Sequence, residues 1–269
     1  MTLAEVFEDT QKIYSSHPVL ISACEETRKN QLFIGEKEKL KCNLKRFPSE
    51  CKIVVSQKRT FEAAEAYARR GEKVAVLNFA NFYNAGGGVI YGARAQEECL
   101  CRISTLYDSL ISPAMQEKFY NPHCKKQNDL ANDDIIYSPG VLVFKSDSDE
   151  PLLRAQSEWF YTDVLTCAAP CLEKNFPSEY YDELRRLHLS RAKHILNAAC
   201  KYRADVLILG AFGCGAFSNP PELVAEVYKK LLPYYIYAFK TIEFAVYCNQ
   251  NDRKNFEAFK ASLKCFCPV

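Results

Sequence analysis

The sequence has almost no net charge, no long apolar run and no zinc-type cysteine pair, and each lack removes a class of function. Lysine and arginine number 35 against 33 aspartates and glutamates. Neither half is strongly basic, so a non-specific grip on DNA is not expected and an anionic ligand needs a local site. No apolar stretch approaches the length that crosses a bilayer; Leu231 to Tyr237 is too short and rich in tyrosine, so no membrane partner is expected. The opening Met1-Thr2-Leu3-Ala4-Glu5 meets an acid without a basic-then-apolar leader. The 13 cysteines are scattered and odd in number. Free, mostly buried thiols in a reducing compartment, cytoplasmic or nuclear, are the expectation. Cys99 with Cys101 and Cys265 with Cys267 have one intervening residue, not the two of structural zinc sites, so no metal or other cofactor is expected. His17, His123, His188 and His194 have no cysteine or acid at a spacing that suggests a triad.

What is present supports a core. Hydrophobic residues make up 48% of 269 residues, which suits one large α/β unit with a peripheral extension better than two domains. Leu3 to Tyr14 and Ile21 to Lys29 have modest helical patterns, and Lys37 to Lys45 reads as a solvated lysine-rich connection. Residues 1-50 are treated as the N-terminal helical extension packing on a core of residues 51-269. Ile53 to Val55 reads as a strand, followed by a helix capped by Thr60 with Gly71 past its end. Val74 to Leu77 and Val206 to Leu209 are continuous apolar runs of the kind covered on both faces, and each leads into a glycine-rich loop. Leu189 to Ala199 carries one helical face, and Asn219 can cap a helix that begins with Pro220. Ile135 to Phe144, Trp159 to Ala168 and Ile242 to Tyr247 are further β-forming runs, with a closing helix near Asn255 to Leu263. Helices interleaved with apolar strands predict an α/β sandwich around a mixed or largely parallel sheet, with sites at the carboxyl ends of strands.

Both glycine loops emerge at such ends. In the first, Gly86, Gly87 and Gly88 remove every side chain from one stretch of backbone, so a ligand can approach its amides. Gln96, Glu97 and Glu98 then open a helix pattern. Acids in a first helical turn are often only partners of the helix dipole, but here they follow a strand, Asn78, Asn81 and the triple glycine, beside any ligand in the loop. The second loop, Gly210 to Phe217, lies between a buried strand and a helix start, where free amides favour an anion. It is not a Rossmann fingerprint, since position 218 is serine, and no Gly-Lys-Ser/Thr makes it a P-loop. Two such loops at neighbouring strand ends could clamp a diphosphate. Cys214, near a helix N-terminus, is a candidate nucleophile without an evident base.

The chain resembles the microbial-type poly(ADP-ribose) glycohydrolases of the macrodomain superfamily. The resemblance is carried by Gly86-Gly87-Gly88 with Gln96-Glu97-Glu98, by Leu100-Cys101-Arg102, Ser104 to Tyr107, Tyr137-Ser138-Pro139, Leu165-Thr166 and Ala169-Pro170, and by Gly210 to Pro221. It runs from about residue 50 to 262 and is weak before that. Ala85 stands where the family commonly has proline, and Gly140 where it has Asp or Asn. The resemblance implies a macrodomain-like three-layer sandwich with a mixed central sheet. It also implies hydrolysis of ribose-ribose bonds in poly(ADP-ribose) to release ADP-ribose, with ADP-ribosylated proteins as carriers of substrate. Glu98 would be the acid/base residue and Glu97 would hold ribose hydroxyls. Asn81 would bond the distal ribose, Gly86, Gly87 and Gly88 would receive it and its phosphate, Val89 and Gln96 would be further ligand contacts, and Asn78 would brace the loop. The amides of Gly213, Cys214, Gly215 and Ala216 would bind diphosphate, and Phe217 would pack near the scissile ribose. Tyr137 and the segment around Phe144 are candidate walls for adenine. A non-catalytic ADP-ribose reader and a hydrolase of single ADP-ribose groups share these loops.

Overall fold

In the computed structural model, which describes residues 1–172 and 176–267, the apolar runs become strands of one mixed sheet. Two helices open the chain, α1 (Leu3–Ser16) and α2 (Pro18–Asn30). Then come β1 (Leu32–Ile34), β2 (Lys52–Ser56), α3 (Thr60–Ala68), β3 (Val74–Phe79) and α4 (Gln96–Ile103). Three short helices, α5 (Leu106–Leu110), α6 (Pro113–Met115) and α7 (Asn121–Lys126), lead to β4 (Ile135–Val143) and β5 (Phe160–Cys167). The chain closes with α8 (Tyr181–Lys201), β6 (Val206–Leu209), α9 (Pro221–Tyr235), β7 (Thr241–Ala245) and α10 (Lys254–Leu263).

The sheet has seven strands in the order β1-β4-β5-β3-β6-β7-β2. β5, β3, β6, β7 and β2 run parallel, while β4 is antiparallel to both β5 and β1. Alternate side chains explain why the inner strands are apolar throughout. Ala75, Leu77, Leu207 and Leu209 enter one buried cluster with α8, α9 and α10. Val74, Val76, Val206 and Ile208 enter another with residues of α3, α4 and α5.

Two helix starts differ from the sequence expectation. Thr60 is the first residue of α3 rather than its cap. Asp147, from the loop after β4, accepts from the amides of Phe61 (3.0 Å) and Glu62 (3.4 Å), a distant residue doing what a local cap usually does. At α9 the cap position is Pro220, not Asn219. The Asn219 amide turns back to donate to Pro170 O at 2.7 Å and Gly213 O at 3.0 Å, bracing the second glycine loop. His188 lies buried with Nε2 2.8 Å from Asn219 Oδ1 and is pushed down to about 4 by burial, so its neutral ring serves as a donor to this brace.

The first fifty residues do more than cover the core. β1, unforeseen because it spans only three residues, pairs with β4 at the sheet edge. Thr10 Oγ1 donates to Arg102 O, Phe7 meets Tyr107 edge-on at 4.8 Å, and Asp9 pairs with the buried Lys145 at 2.7 Å. Gly140 has φ of +66° at a bulge between Ser138 and Val141. A left-handed position accepts glycine, aspartate or asparagine most readily, which accounts for this departure from the family pattern. All thirteen cysteines are unpaired; five are buried, two exposed and six half-buried, so fewer are fully buried than expected. Among the described residues no helix is long and apolar enough to cross a membrane, and no three His, Cys, Asp or Glu side chains cluster as metal ligands.

Candidate active site

β3 and β6 are hydrogen-bonded neighbours, so the two glycine loops meet at one edge of the sheet. A crevice of about 400 Å³ opens there, within the range of small-molecule sites. Its walls include Asn81, Gln96, Glu97 and Glu98 from the first loop and α4, and Gly213, Gly215, Ala216 and Phe217 from the second.

The Gln96-Glu97-Glu98 triplet divides its work. Gln96 Nε2 donates to Leu77 O (2.7 Å) and Thr60 Oγ1 (3.0 Å), and its Oε1 accepts from the Phe79 amide (2.9 Å). Its polar atoms are therefore occupied in tying the start of α4 to the end of β3, a positioning role, while the residue stays on the crevice wall. Glu97 is 2% exposed and accepts from Asn78 Nδ2 at 3.1 Å and from the Asn81 amide at 2.7 Å. Burial pushes its carboxyl up to about 8; the two N–H donors oppose that rise and the neighbouring Glu98 charge adds to it. Glu98 Oε1 accepts from the Gly88 amide at 2.9 Å. Its other oxygen, Oε2, is buried without a hydrogen-bond partner among the described residues. An orphaned carboxylate oxygen in a crevice is costly unless something binds to it.

The triple glycine serves the carboxylates. Gly87 has φ of +57°, and a Cβ there would lie 2.4 Å from Glu98 Oε1, so only glycine admits this approach. The amides of Gly87 and Gly88 bond to Asn84 O and Glu98, and Val89 N bonds to Gly86 O. Gly86, Gly87 and Gly88 are absent from the crevice wall described above, and Val89 is fully buried in the core. The loop holds Glu98 through the Gly88 amide, and the Val89 side chain packs in the core. Asn78 braces Glu97 rather than the loop, with Nδ2 shared between Glu97 and Thr166 Oγ1 (3.2 Å). Asn81 Oδ1 accepts from the amides of Tyr83 and Asn84, both at 2.8 Å, leaving its Nδ2 for a ligand.

In the second loop the amides of Gly213, Gly215, Ala216 and Phe217 have no acceptor among the described residues, whereas Cys214 N bonds to Ala211 O at 3.0 Å. Cys214 is thereby removed from the expected amide set. Its side chain lies off the crevice wall, and burial pushes its thiol up, against a role as nucleophile. Gly213, with φ of +77°, packs so closely on Ala169 and Asn219 that a Cβ would lie 2.5 Å and 2.6 Å from them. Phe217 is half-buried, meets Phe82 edge-on at 5.8 Å and reaches the crevice.

Sequence reasoning missed a second wall, where Lys58, Arg59, Asp147 and Tyr247 line the crevice, and the rings of Phe79 at the end of β3 and Phe212 within the second glycine loop. Arg59 lies over the Tyr247 ring at 4.1 Å and pairs with Asp149. The rule that pointed to the glycine loops reaches these residues too, since Lys58 and Tyr247 directly follow the carboxyl ends of β2 and β7. Tyr137 and Phe144 do not line it. Tyr137 stacks on Tyr202 at 4.1 Å and donates to Asp163 at 2.6 Å, and Phe144 packs against Trp159 in a separate cluster.

A model of the catalytic domain of microbial-type PARG matches residues 6–146. Among solved structures, the poly(ADP-ribose) glycohydrolase of Deinococcus radiodurans in complex with ADP-ribose is 31% identical, covering 91% of this chain and 98% of that one with a TM-score of 0.81. The poly(ADP-ribose) glycohydrolase of Thermomonospora curvata, bound to the inhibitor ADP-HPD, is 29% identical, covering 96% and 98% with a TM-score of 0.83. A sequence search of curated proteins returned no significant match. With its orphaned glutamate gripped by a triple glycine, and likeness over nearly its whole length, the chain belongs to the microbial-type poly(ADP-ribose) glycohydrolase family.

Proposed function

We propose that this protein hydrolyses the ribose-ribose O-glycosidic bonds of poly(ADP-ribose) and releases ADP-ribose. The observation that carries the reading is Glu98: one carboxylate oxygen held by the Gly88 amide, the other buried, unpartnered and in the crevice. As the bond between the anomeric carbon and the bridging oxygen breaks, Glu98 delivers a proton to that oxygen. Positive charge develops on the anomeric carbon and the ring oxygen. The carboxylate left behind then takes a proton from the water that adds to the carbon, which restores Glu98 and yields two hydroxyls. One carboxyl group serves both steps, so the usual spacing rule for glycosidase pairs does not apply.

Glu97, mostly protonated below about pH 8, orients the ribose hydroxyls, helped by Asn81. The triple glycine contributes by presenting Glu98 to that ribose. The free amides of Gly213, Gly215 and Ala216 hold the diphosphate, and Phe217 packs near the scissile ribose. The neighbours from Deinococcus and Thermomonospora, solved with ADP-ribose and with ADP-HPD, support a nucleotide-sugar ligand for this crevice. The residues supply the acid, base and binding groups without a metal or cofactor. ADP-ribosylated proteins carry the substrate to the site, in a reducing compartment of the cell. We read residues 51-269 as a macrodomain-like three-layer sandwich, which the apolar clusters on opposite sides of the sheet support, and the first fifty residues as an extension joined to it through β1, Phe7, Ile34 and Leu40.

The test is release of ADP-ribose from polymer and from mono-ADP-ribosylated protein by wild type and Glu98→Gln. The substitution is expected to lower polymer cleavage by at least about 100-fold while ADP-ribose binding persists. Binding without turnover by wild type would make the protein a reader instead.

A further inference from the structure

A second cavity, of about 390 Å³, lies beyond the opposite end of β6 from the crevice. It forms where the lysine-rich segment before β2 passes the carboxyl end of α8, and its lining includes Lys41, Lys45, Arg46, Lys201 and Arg203 against one acid, Asp205. Such an excess of cations is notable in a chain whose net charge is only +2. Part of it is structural. Arg46 pairs with Asp205 at 3.2 Å and donates to Ala204 O at 2.6 Å, closing the end of α8, while Lys240 shares Asp205 at 3.4 Å and Lys201 pairs with Glu38 at 3.2 Å. Lys41, Lys45 and Arg203 are exposed and have no acidic partner among the described residues. The half-buried ring of Phe47 also lines the cavity, with the Arg46 guanidinium 5.0 Å from its centroid. Lys240 also lies 5.8 Å from that centroid, so the ring is engaged by the paired cations, and the unpaired Lys41, Lys45 and Arg203 are the groups left to hold phosphate in the same cavity.

We propose that this cavity is a second binding site for the polymer, holding a diphosphate-bearing unit remote from the one being cut. The inference rests on the proposed activity, because the occupant is the same polyanion that reaches the crevice. β6 spans four residues, on the order of 13 Å at strand rise, and the two sites lie beyond its opposite ends. β6 is buried along its whole length, so a chain that joins the two sites must run around the outside of the protein, a path longer than the strand itself, and a short chain reaches only one of them. Long chains therefore bind with the gain in effective concentration that a second attachment gives, and short ones do not.

The experiment compares wild type with Lys41→Glu/Lys45→Glu/Arg203→Glu on polymers sorted by length. The expected result is a KM for long polymer raised at least about tenfold, with kcat unchanged and with two-unit substrate cleaved as by wild type, which also shows that the variant is folded. The salt dependence of long-chain binding should flatten by about 2 in log-log slope, for three lost phosphate contacts on a single strand. The milder Lys41→Gln/Lys45→Gln protein should shift the same way by less. Equal KM for long polymer in all three proteins would overturn the proposal. So would single-stranded DNA of matched charge displacing long polymer from wild type as well as polymer itself does. Length-dependent binding by Glu98→Gln protein tests the cavity without turnover; failure of wild type to cut even the two-unit chain would instead sink the hydrolase reading.

Discussion

Replacing Glu97 with glutamine should change the stability of the protein with a sign that depends on pH. The native carboxyl is held at about 8 against 4.5 for the unperturbed group. Below the lower value it is protonated in both folded and unfolded chains and contributes no pH dependence. As pH rises from 4.5 towards 8, the unfolded chain releases a proton that the native site retains, so native stability falls by 1.36 kcal/mol per unit, ~5 kcal/mol in all. Glu97→Gln removes this penalty but has its own cost. An amide offers one acceptor oxygen where the two oxygens of the carboxyl group met two donors, Asn78 Nδ2 and the Asn81 amide, and leaving one donor unmet costs about 1–3 kcal/mol. The variant should therefore be less stable than wild type near pH 4 by about 1–3 kcal/mol and more stable near pH 9 by about 2–4 kcal/mol. Urea unfolding of both proteins across this range measures the difference, and groups common to both cancel. A difference that stays constant from pH 5 to 9 would mean that Glu97 is ionised throughout, and would refute its assignment as a mostly protonated partner of the ribose hydroxyls.

Gly87→Ala forces a side chain into a left-handed position and to within 2.4 Å of Glu98 Oε1; it should cost about 1–2 kcal/mol of stability and, by moving the carboxylate, on the order of 100-fold in kcat, and normal turnover would show that the loop does not set Glu98. Gln96→Ala leaves the Phe79 amide and Leu77 O without their partner, so a melting curve should report a loss of about 1–3 kcal/mol, with kcat falling more than ADP-ribose affinity; an unchanged kcat would remove its positioning role. Chelation should leave polymer cleavage unaltered, and loss restored by a divalent ion would place a metal in the mechanism.

The local grammar of the chain decided much of this. Continuous apolar runs such as Val74 to Leu77 and Val206 to Leu209, short and followed by glycine loops, read as strands covered on both faces, which puts those loops at the carboxyl edge of a parallel sheet. The triplet Gln96-Glu97-Glu98 after a triple glycine likewise pointed to the family and, through the resemblance, to Glu98 as the proposed reacting carboxylate. Short-range pattern could not assign tasks among neighbours. Gln96, Glu97 and Glu98 are adjacent in sequence, yet one ties α4 to β3, one is buried among amide donors, and one keeps a free oxygen, because successive residues of a helix point in different directions. Nor could it show that Asp147 rather than Thr60 caps α3, that Asn219 braces a loop instead of starting α9, or that Arg59 and Tyr247 form a second wall of the crevice. Those pairings join residues far apart along the chain, and their distances come into being only when the sheet order is fixed. The sequence by itself determined which groups could do the chemistry; the tertiary structure decided which atoms were left unpaired to do it, since hydrogen-bond partners are shared out only once remote segments have packed.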